Sequence, residues 1–308
     1  MNSIKTALTA GISALLLSAA PTASALALFA DYSDTSLSGG IWQTSAGQIL
    51  GSDPGNGAVN VTTVFKANIS AAFTYLGNSV LGGGNLTVQF GLDDLHPVGA
   101  DGYSQVIHIG PNGLPDVTKI VLDNSAFSSF FLDPTPFDNS EYTMNFVNAT
   151  LGGGLVNVGR YGSALAGSDA ANRTDILTLA MHELIHSAAL SADTPEGNAN
   201  RKRTIPTALT GFASDFDLPF ISGSNHIDPF AQGGVFAHTV TSEPSFGNND
   251  RWLLTGVEIF GICVVQGCTP SQVNPNLVAS VPEPSTMLLL APALALMATF
   301  GRRRKLRA

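Results

Sequence analysis

Three ionisable side chains stand close together in an otherwise apolar stretch, at His182, Glu183 and His186. On a helix the two histidines are one turn apart and project from the same face, so both imidazoles can reach one metal ion. Glu183 lies about 100° round the helix, where its carboxylate can contact a metal-bound water. Zinc chemistry needs neutral nitrogen donors, an open position for water and a nearby carboxylate that accepts the water's proton. The spacing therefore predicts one catalytic zinc ion, with Glu183 as the general base.

A third protein ligand is required, and the sequence leaves three candidates open. The segment His182-Glu-Leu-Ile-His186 resembles the HExxH motif of zinc metalloproteases. The compact metzincin form of that motif places a glycine at 189 and a histidine at 192, where this chain has alanines. Asp193 comes one residue late for the aspartate-ended variant, and a small adjustment of the loop would bring it in. His226 and His238 lie further along the chain.

The order of the later segments resembles the leishmanolysin-like metalloproteases, in which a long insertion precedes a third histidine in a Gly/Ser-rich context. That resemblance implies that His226 is the third ligand, that residues 235–240 replace the Met turn, and that residues 255–261 form a terminal helix. No methionine occurs between Met181 and Met287, so the Met turn itself is absent. His238 falls about where it would be, either as a ligand or as a histidine beneath the zinc. Glu258 is expected on a helix surface or as a hydrogen-bond partner.

The elements that must position these groups are a buried helix and a sheet. The helix is expected over residues 174–190, because Thr174 or Asp175 can cap its start and apolar residues lie on nearly every face. A second amphipathic helix is expected over residues 61–76. Strands are expected at residues 85–91, 119–122 and 142–147. These elements predict an α+β fold with a mixed sheet in the N-terminal part, and the resemblance implies a zincin-like domain.

The only cysteines are Cys263 and Cys268, with four residues between them. In an exported protein this spacing predicts a local disulfide that closes a small loop. Two thiolates supply only half of a tetrahedral zinc shell, so zinc ribbons are excluded.

Both ends of the chain read as sorting signals. Residues 1–25 combine one lysine, an apolar run and the small-residue pattern Ala23-Ser24-Ala25, which is typical of a secretory signal peptide. Residues 281–308 contain Pro-Glu-Pro at 282–284, an uncharged apolar run from 286 to 301 and a cluster of five basic residues. A basic cluster directly after an apolar run is the positive-inside signature of a membrane anchor. The segment resembles the PEP-CTERM sorting signal of Gram-negative bacteria, which implies processing by an exosortase and transient contact with the inner membrane.

The amino-acid composition excludes one class of binding partner. The chain has 308 residues, 44% of them hydrophobic and only 12% charged, with a net charge of −9. This leaves no basic surface that could neutralise phosphates, so a nucleic-acid partner is excluded. Removing the two ends removes more basic than acidic residues, so the remaining body, residues 26–280, is more acidic still.

We therefore expect an exported zinc metallopeptidase that acts on a protein or peptide substrate and resides in the cell envelope, on the outer surface or in the extracellular matrix. The alternative is a non-catalytic cell-surface or biofilm-matrix protein whose HExxH site is structural or degenerate.

Overall fold

A computed structural model places most of the body of the chain. It describes residues 26–32, 41–43, 49–52, 60–82, 84–95, 97, 99–123, 129–188, 190, 202–222, 224–242 and 247–273. The predicted signal peptide, Asp193 and the segment 281–308 with its predicted membrane-spanning run lie outside these residues. Within the described part of the chain, no helix combines the length and the apolar character needed to cross a membrane.

The described residues form few helices and many strands. The helices are α1 (Thr63–Ser79), α2 (Ile176–Ser187), the short α3 (Thr207–Thr210) and α4 (Gly256–Gln266). The strands are β1 (Ala27–Asp31), β2 (Ile41–Gln43), β3 (Ile49–Ser52), β4 (Asn60–Val61), β5 (Asn85–Asp93), β6 (Gly102–Ile109), β7 (Pro115–Asp123), β8 (Phe130–Phe131), β9 (Tyr142–Leu151), β10 (Gly154–Ala164), β11 (Thr174–Asp175), β12 (Lys202–Ile205), β13 (Phe216–Pro219) and β14 (Asp250–Trp252).

The main sheet has the order β1-β5-β7-β6. Strands β1, β5 and β7 are parallel, whereas β6 runs antiparallel to β7 and forms one edge. Leu86, Val88 and Phe90 alternate along β5 and are buried, so one face of the strand packs into the core. Helices α1 and α2 pack against each other, and α2 also contacts β6 and β7. The helix with the predicted metal ligands therefore lies directly against the sheet's antiparallel edge.

A second, antiparallel sheet has the order β14-β10-β9. After β14 the chain runs alongside α2 and is bonded to it. The backbone N–H of Trp252 donates to Thr178 Oγ1 at 2.9 Å, and that of Leu254 donates to Met181 Sδ at 3.0 Å. This segment leads into α4, which is capped by Thr255. The second sheet thus holds the outer side of α2 in place.

Several elements agree with the sequence predictions. Helix α1 begins two residues later than the predicted helix and ends three residues later. The strand predicted at 85–91 is observed as part of β5. The predicted strands at 119–122 and 142–147 lie within β7 and β9. The predicted mixed sheet is formed by strands between residues 27 and 123. The terminal helix predicted at 255–261 is α4, which continues to Gln266.

Candidate metal centre

Helix α2 carries the predicted site and is enclosed by protein. Asp175 caps its N-terminus, accepting hydrogen bonds from the backbone N–H of Thr178 at 3.2 Å and from its hydroxyl at 2.7 Å. Every residue of the helix except His186 is buried. His182 is 5% exposed and Glu183 is 4% exposed. Two polar side chains buried this deeply need compensating partners, since leaving them unpaired costs several kcal/mol.

The partners include a third histidine from a distant segment. His182 Nε2 lies 3.1 Å from His226 Nε2 and 3.2 Å from His186 Nε2. The ligand atoms of these three residues all lie within 4.8 Å of one another. Among the described residues this is the one group of three or more potential metal-ligating side chains that converge in this way. The structure therefore brings His226, and not His238, to the two helical histidines.

The outer nitrogen of each imidazole has its own partner. His182 Nδ1 lies 2.7 Å from the Val240 carbonyl oxygen, and His186 Nδ1 lies 3.2 Å from the Leu190 carbonyl oxygen. His226 Nδ1 lies 2.7 Å from Ser224 Oγ. Because a carbonyl oxygen only accepts, the Nδ1 atoms of His182 and His186 carry the proton, which leaves a lone pair on each Nε2. Two lone pairs facing each other at 3.2 Å repel unless a cation lies between or beside them.

Burial keeps the imidazoles neutral. Desolvation, together with the neighbouring histidines, lowers the pKa of His182 well below its usual value of 6.5. Desolvation is also the main reason that the pKa of His186 falls to about 4, and His226 adds to the effect. Neutral imidazole is the form that binds metal ions. His182 and His186 are thus in the ligating protonation state at neutral pH.

Glu183 lies beside the cluster and against the edge strand of the main sheet. A Cβ atom built on Gly102, the first residue of β6, would lie 3.3 Å from Glu183 Oε1. Burial raises the pKa of Glu183 to about 8. A nearby cation favours the charged form of a carboxyl and counteracts this shift. A cation bound nearby would therefore favour the carboxylate form of Glu183, which is the form that can accept a proton.

The remaining candidates for ligation lie elsewhere or outside the description. The ring of His238 stacks on that of Tyr161, with ring centroids 4.0 Å apart and planes inclined by 16°, so His238 is not part of the cluster. Asp193 lies outside the described residues. Glu258 is fully buried and accepts hydrogen bonds from Thr241 and Thr255. Its expected place on a helix surface was wrong, whereas its role as a hydrogen-bond partner is confirmed.

A buried ion-pair network at the start of α2 was missed by the sequence analysis. The guanidinium of Arg251 is fully buried and lies 2.6 Å from Asp133 Oδ2 and 2.9 Å from Asp175 Oδ1. It also donates to Asn139 Oδ1 at 3.2 Å and lies over the ring of Tyr142. Asp175 was proposed as a helix cap, but its second role gave no sequence signal because its partners are distant in the chain.

Cys263 and Cys268 both have free thiols in this structure, with Cys263 buried and Cys268 half-buried. The backbone N–H of Cys268 donates to the Cys263 carbonyl at 2.8 Å, and the two side chains interact directly. The disulfide between them stays a prediction.

Comparison with known proteins identifies one segment. The PEP-CTERM protein-sorting motif matches residues 280–305. PEP-CTERM signals are recognised by exosortase-type processing enzymes, so the chain is an exported protein with an address in the cell envelope or at the cell surface. No curated protein matches the chain.

Proposed function

We propose that the chain is an exported zinc metallopeptidase with a zincin-like α+β domain, in which His182, His186 and His226 hold one zinc ion and Glu183 is the general base. After C-terminal processing it resides on the outer surface or in the extracellular matrix, and the apolar run at 286–301 contacts the inner membrane only transiently.

One observation carries this proposal: three imidazoles converge through nitrogens that cannot all hydrogen-bond to one another. The Nδ1 atoms of His182 and His186 donate to carbonyl oxygens, so both Nε2 atoms, which lie 3.2 Å apart, carry a lone pair and neither can donate to the other. A buried arrangement of this kind is unfavourable without a cation. Its residues come from helix α2 and from a loop 40 residues further on.

The donor set fits zinc. Three nitrogens that are each 2.0–2.1 Å from one ion at tetrahedral angles lie about 3.4 Å apart. The two Nε2 separations of 3.1 and 3.2 Å require only small movements to reach that value. Three histidines leave a fourth position open, which is typical of catalytic rather than structural zinc sites. The outer partners at Nδ1 fix the ring orientations, as they do in other zinc centres.

In the proposed hydrolysis, the zinc ion and the side chain of Glu183 have separate roles. A zinc ion bound by three histidines supplies an acidic water and polarises a carbonyl group. Glu183 would accept the proton of the attacking water and pass it to the leaving amine. Its carboxylate is buried and close to β6, so the proton is held at a defined position and is shielded from bulk water.

The edge strand β6 offers a place for the substrate backbone. Among the described strands of the main sheet, β6 pairs with β7 alone, so its outer edge can pair with an extended peptide. Four of its side chains are substantially exposed: Tyr103 at 39%, Val106 at 46%, Ile107 at 48% and Ile109 at 50%. Because Gly102 begins β6 beside Glu183, a peptide on this edge runs towards the metal centre. We propose an extended, apolar peptide segment as the substrate.

Metal analysis and a conservative variant test the proposal. The mature chain is expected to contain one zinc ion, to lose it to a chelator and to hydrolyse denatured protein substrates. Glu183→Gln keeps the shape of the side chain and removes the base, so it should retain zinc and lose hydrolysis by roughly a hundredfold or more. Zinc content and peptide release are measured on the same preparations.

A matched pair of histidine variants identifies the third ligand. His226→Ala should lose zinc, whereas His238→Ala should retain it, because His238 stacks on Tyr161 outside the cluster. Full hydrolysis by Glu183→Gln would overturn the catalytic assignment. Zinc bound without hydrolysis by the wild-type chain would favour the non-catalytic surface protein instead.

A further inference from the structure

We infer that Glu258 is a positioning residue of the metal centre, which acts through the buried turn at residues 239–242 to fix the places of His182 and His226. This inference rests on the proposed function and adds to it a residue that contacts neither the metal ligands nor the ion.

Glu258 is a fully buried carboxylate with four hydrogen-bond donors. Oε1 accepts from the backbone N–H of Thr241 at 2.8 Å and from its hydroxyl at 2.9 Å. Oε2 accepts from the backbone N–H of Thr255 at 3.0 Å and from its hydroxyl at 2.7 Å. The bonds to Thr255 complete a capping box at the start of α4. The bonds to Thr241 have no part in capping and tie α4 to another segment.

That segment is a tight turn buried inside the protein. The backbone N–H of Ser242 donates to the Thr239 carbonyl at 3.1 Å, and the residues from Thr239 to Ser242 have no exposed surface. A buried turn must find partners for the backbone groups that its own hydrogen bond does not use. Here the backbone N–H of Thr241 donates to Glu258. The Val240 carbonyl faces the ring of His182, and the Thr241 carbonyl faces the backbone next to His226.

The two carbonyls connect the turn to both parts of the ligand set. The Val240 carbonyl accepts from His182 Nδ1 at 2.7 Å and so selects the tautomer whose Nε2 carries no proton. The Thr241 carbonyl accepts from the backbone N–H of Ile227 at 2.9 Å, directly after His226. One turn therefore sets the ring orientation of one ligand and the backbone position of another. Through its hydrogen bonds with Thr241, Glu258 fixes the position of this turn.

A carboxylate suits this task better than an amide. All four groups facing Glu258 are donors, and a carboxylate accepts at both oxygens. Glu258→Gln places an NH₂ group against two of the donors at a fully buried site. The variant is nearly isosteric, so it disturbs hydrogen bonding more than packing. We expect the turn to shift and the two ligands to lose their alignment.

Zinc affinity measured by competition with a chelating dye tests the inference, at a temperature well below the unfolding of each variant. Loss of an outer partner of a metal-ligating histidine usually costs roughly 10- to 100-fold in affinity, and we expect Glu258→Gln to fall in this range. Thr255→Val is the matched control, because it removes a donor to Oε2 on the capping side. It should lower thermal stability and leave zinc affinity within roughly threefold of wild type. Visible spectra of the cobalt-substituted proteins report ligand geometry independently.

Each outcome has one meaning. A wild-type affinity for Glu258→Gln, with zinc bound tightly by the wild-type chain, would overturn this inference and leave the proposed function intact. Equal losses in Glu258→Gln and Thr255→Val would reduce Glu258 to a helix cap and also overturn it. A wild-type chain that binds no zinc would overturn the proposed function itself. If Glu258→Gln does not fold, Thr241→Val takes its place, because it removes one donor to Glu258 on the side of the turn. Its zinc affinity is compared with that of Thr255→Val.

Discussion

The behaviour of single residues in the centre depends on which nitrogen of each imidazole carries a proton. Carbonyl groups of Val240 and Leu190 hold the protons of His182 and His186 on Nδ1. Protonating either Nε2 would place a charge in a buried site beside two other imidazoles. This is why the pKa of both side chains is lowered, and it makes the metal-free centre sensitive to acid.

The first prediction concerns the pH dependence of the metal-free chain. The pKa of His186 is about 4 in the folded state and 6.5 when unperturbed, so the unfolded chain binds more protons between these values. Stability contributed by His186 is therefore present above pH 6.5 and is lost as the pH falls towards 4. At about 1.4 kcal/mol per pKa unit, the loss is up to about 3 kcal/mol. Urea unfolding with a chelator present, across this range, measures it.

Glu183 opposes this effect and has to be removed in the experiment. Its pKa is raised from 4.5 to about 8, so its contribution is present below pH 4.5 and is lost as the pH rises towards 8. Unfolding is therefore measured on Glu183→Gln, with the double variant Glu183→Gln, His186→Gln as control. Identical pH profiles for the two proteins would show that His186 is not titrating as proposed.

The sequence revealed only part of this centre. The residues His182, Glu183 and His186 were identifiable because helical periodicity places them together regardless of the rest of the fold. His226 was one of three open choices, since a 39-residue insertion separates it from His186 and no local rule fixes where a loop returns. The backbone carbonyl of Val240 could not be predicted at all, because every residue has a carbonyl and only the tertiary structure selects one.

At the scale of elements, α2 is held at its start by charge and along its length by apolar packing. Arg251 joins β14 to the N-cap residue Asp175 and to Asp133 after β8. Two buried carboxylates around one guanidinium are tolerable only as a complete set, because each group compensates the desolvation of the others. Sequence rules for caps identified the start of α2, but Arg251, the partner of Asp175, lies 76 residues after it, and Asp133, the second carboxylate on Arg251, lies 42 residues before it.

The second prediction follows from this network. Arg251→Met leaves Asp133 and Asp175 buried without their counter-charge, and should lower the free energy of unfolding by about 3–5 kcal/mol. Lys202→Met is the matched control, since Lys202 pairs with Asp217 at 2.7 Å but both side chains are more than a third exposed. The control should cost at most about 1 kcal/mol. Similar losses in the two variants, measured by urea unfolding, would contradict the assigned role of Arg251.

The third prediction places the N-terminus of the mature chain. Leu26 is buried in the core, its backbone N–H donates to the Val80 carbonyl at 3.1 Å, and β1 begins pairing with β5 at Ala27. Removal of Leu26 and Ala27 would delete the start of this strand. We therefore expect signal peptide cleavage after Ala25. N-terminal sequencing of the exported protein should begin at Leu26, and a start at Leu28 would contradict the prediction.

At the scale of the whole molecule, the address and the chemistry occupy different parts of the chain. The PEP-CTERM motif covers residues 280–305, whereas the histidine cluster and its supporting network lie between residues 133 and 258. The last described strand contact, between Val80 and Val273, precedes the motif. The motif was recognisable from sequence because its order of Pro-Glu-Pro, apolar run and basic tail is continuous. The body has no such continuous signature apart from HExxH.

The fourth prediction separates the two parts. A chain that ends at residue 279 should still bind one zinc ion with unchanged affinity, because the residues that contribute to the cluster are retained. It should no longer be found in the cell-envelope fraction, because the segment recognised by the processing enzyme is missing. Fractionation with immunodetection and metal analysis of the purified protein measure the two properties. Loss of zinc binding on truncation would show that the two parts are not independent.

The separation of the three histidines along the chain also determines the order in which they cross the membrane during export. A signal peptide leads the chain across the membrane from its N-terminus, so His182 and His186 emerge before His226, and the turn and helix that support them emerge later still. Two imidazoles on one helical turn hold an ion only weakly, and the site is completed when about 40 further residues have crossed. In the proposed peptidase, tight capture of the ion on the outer side of the membrane therefore has to wait until the segment with His226 has crossed.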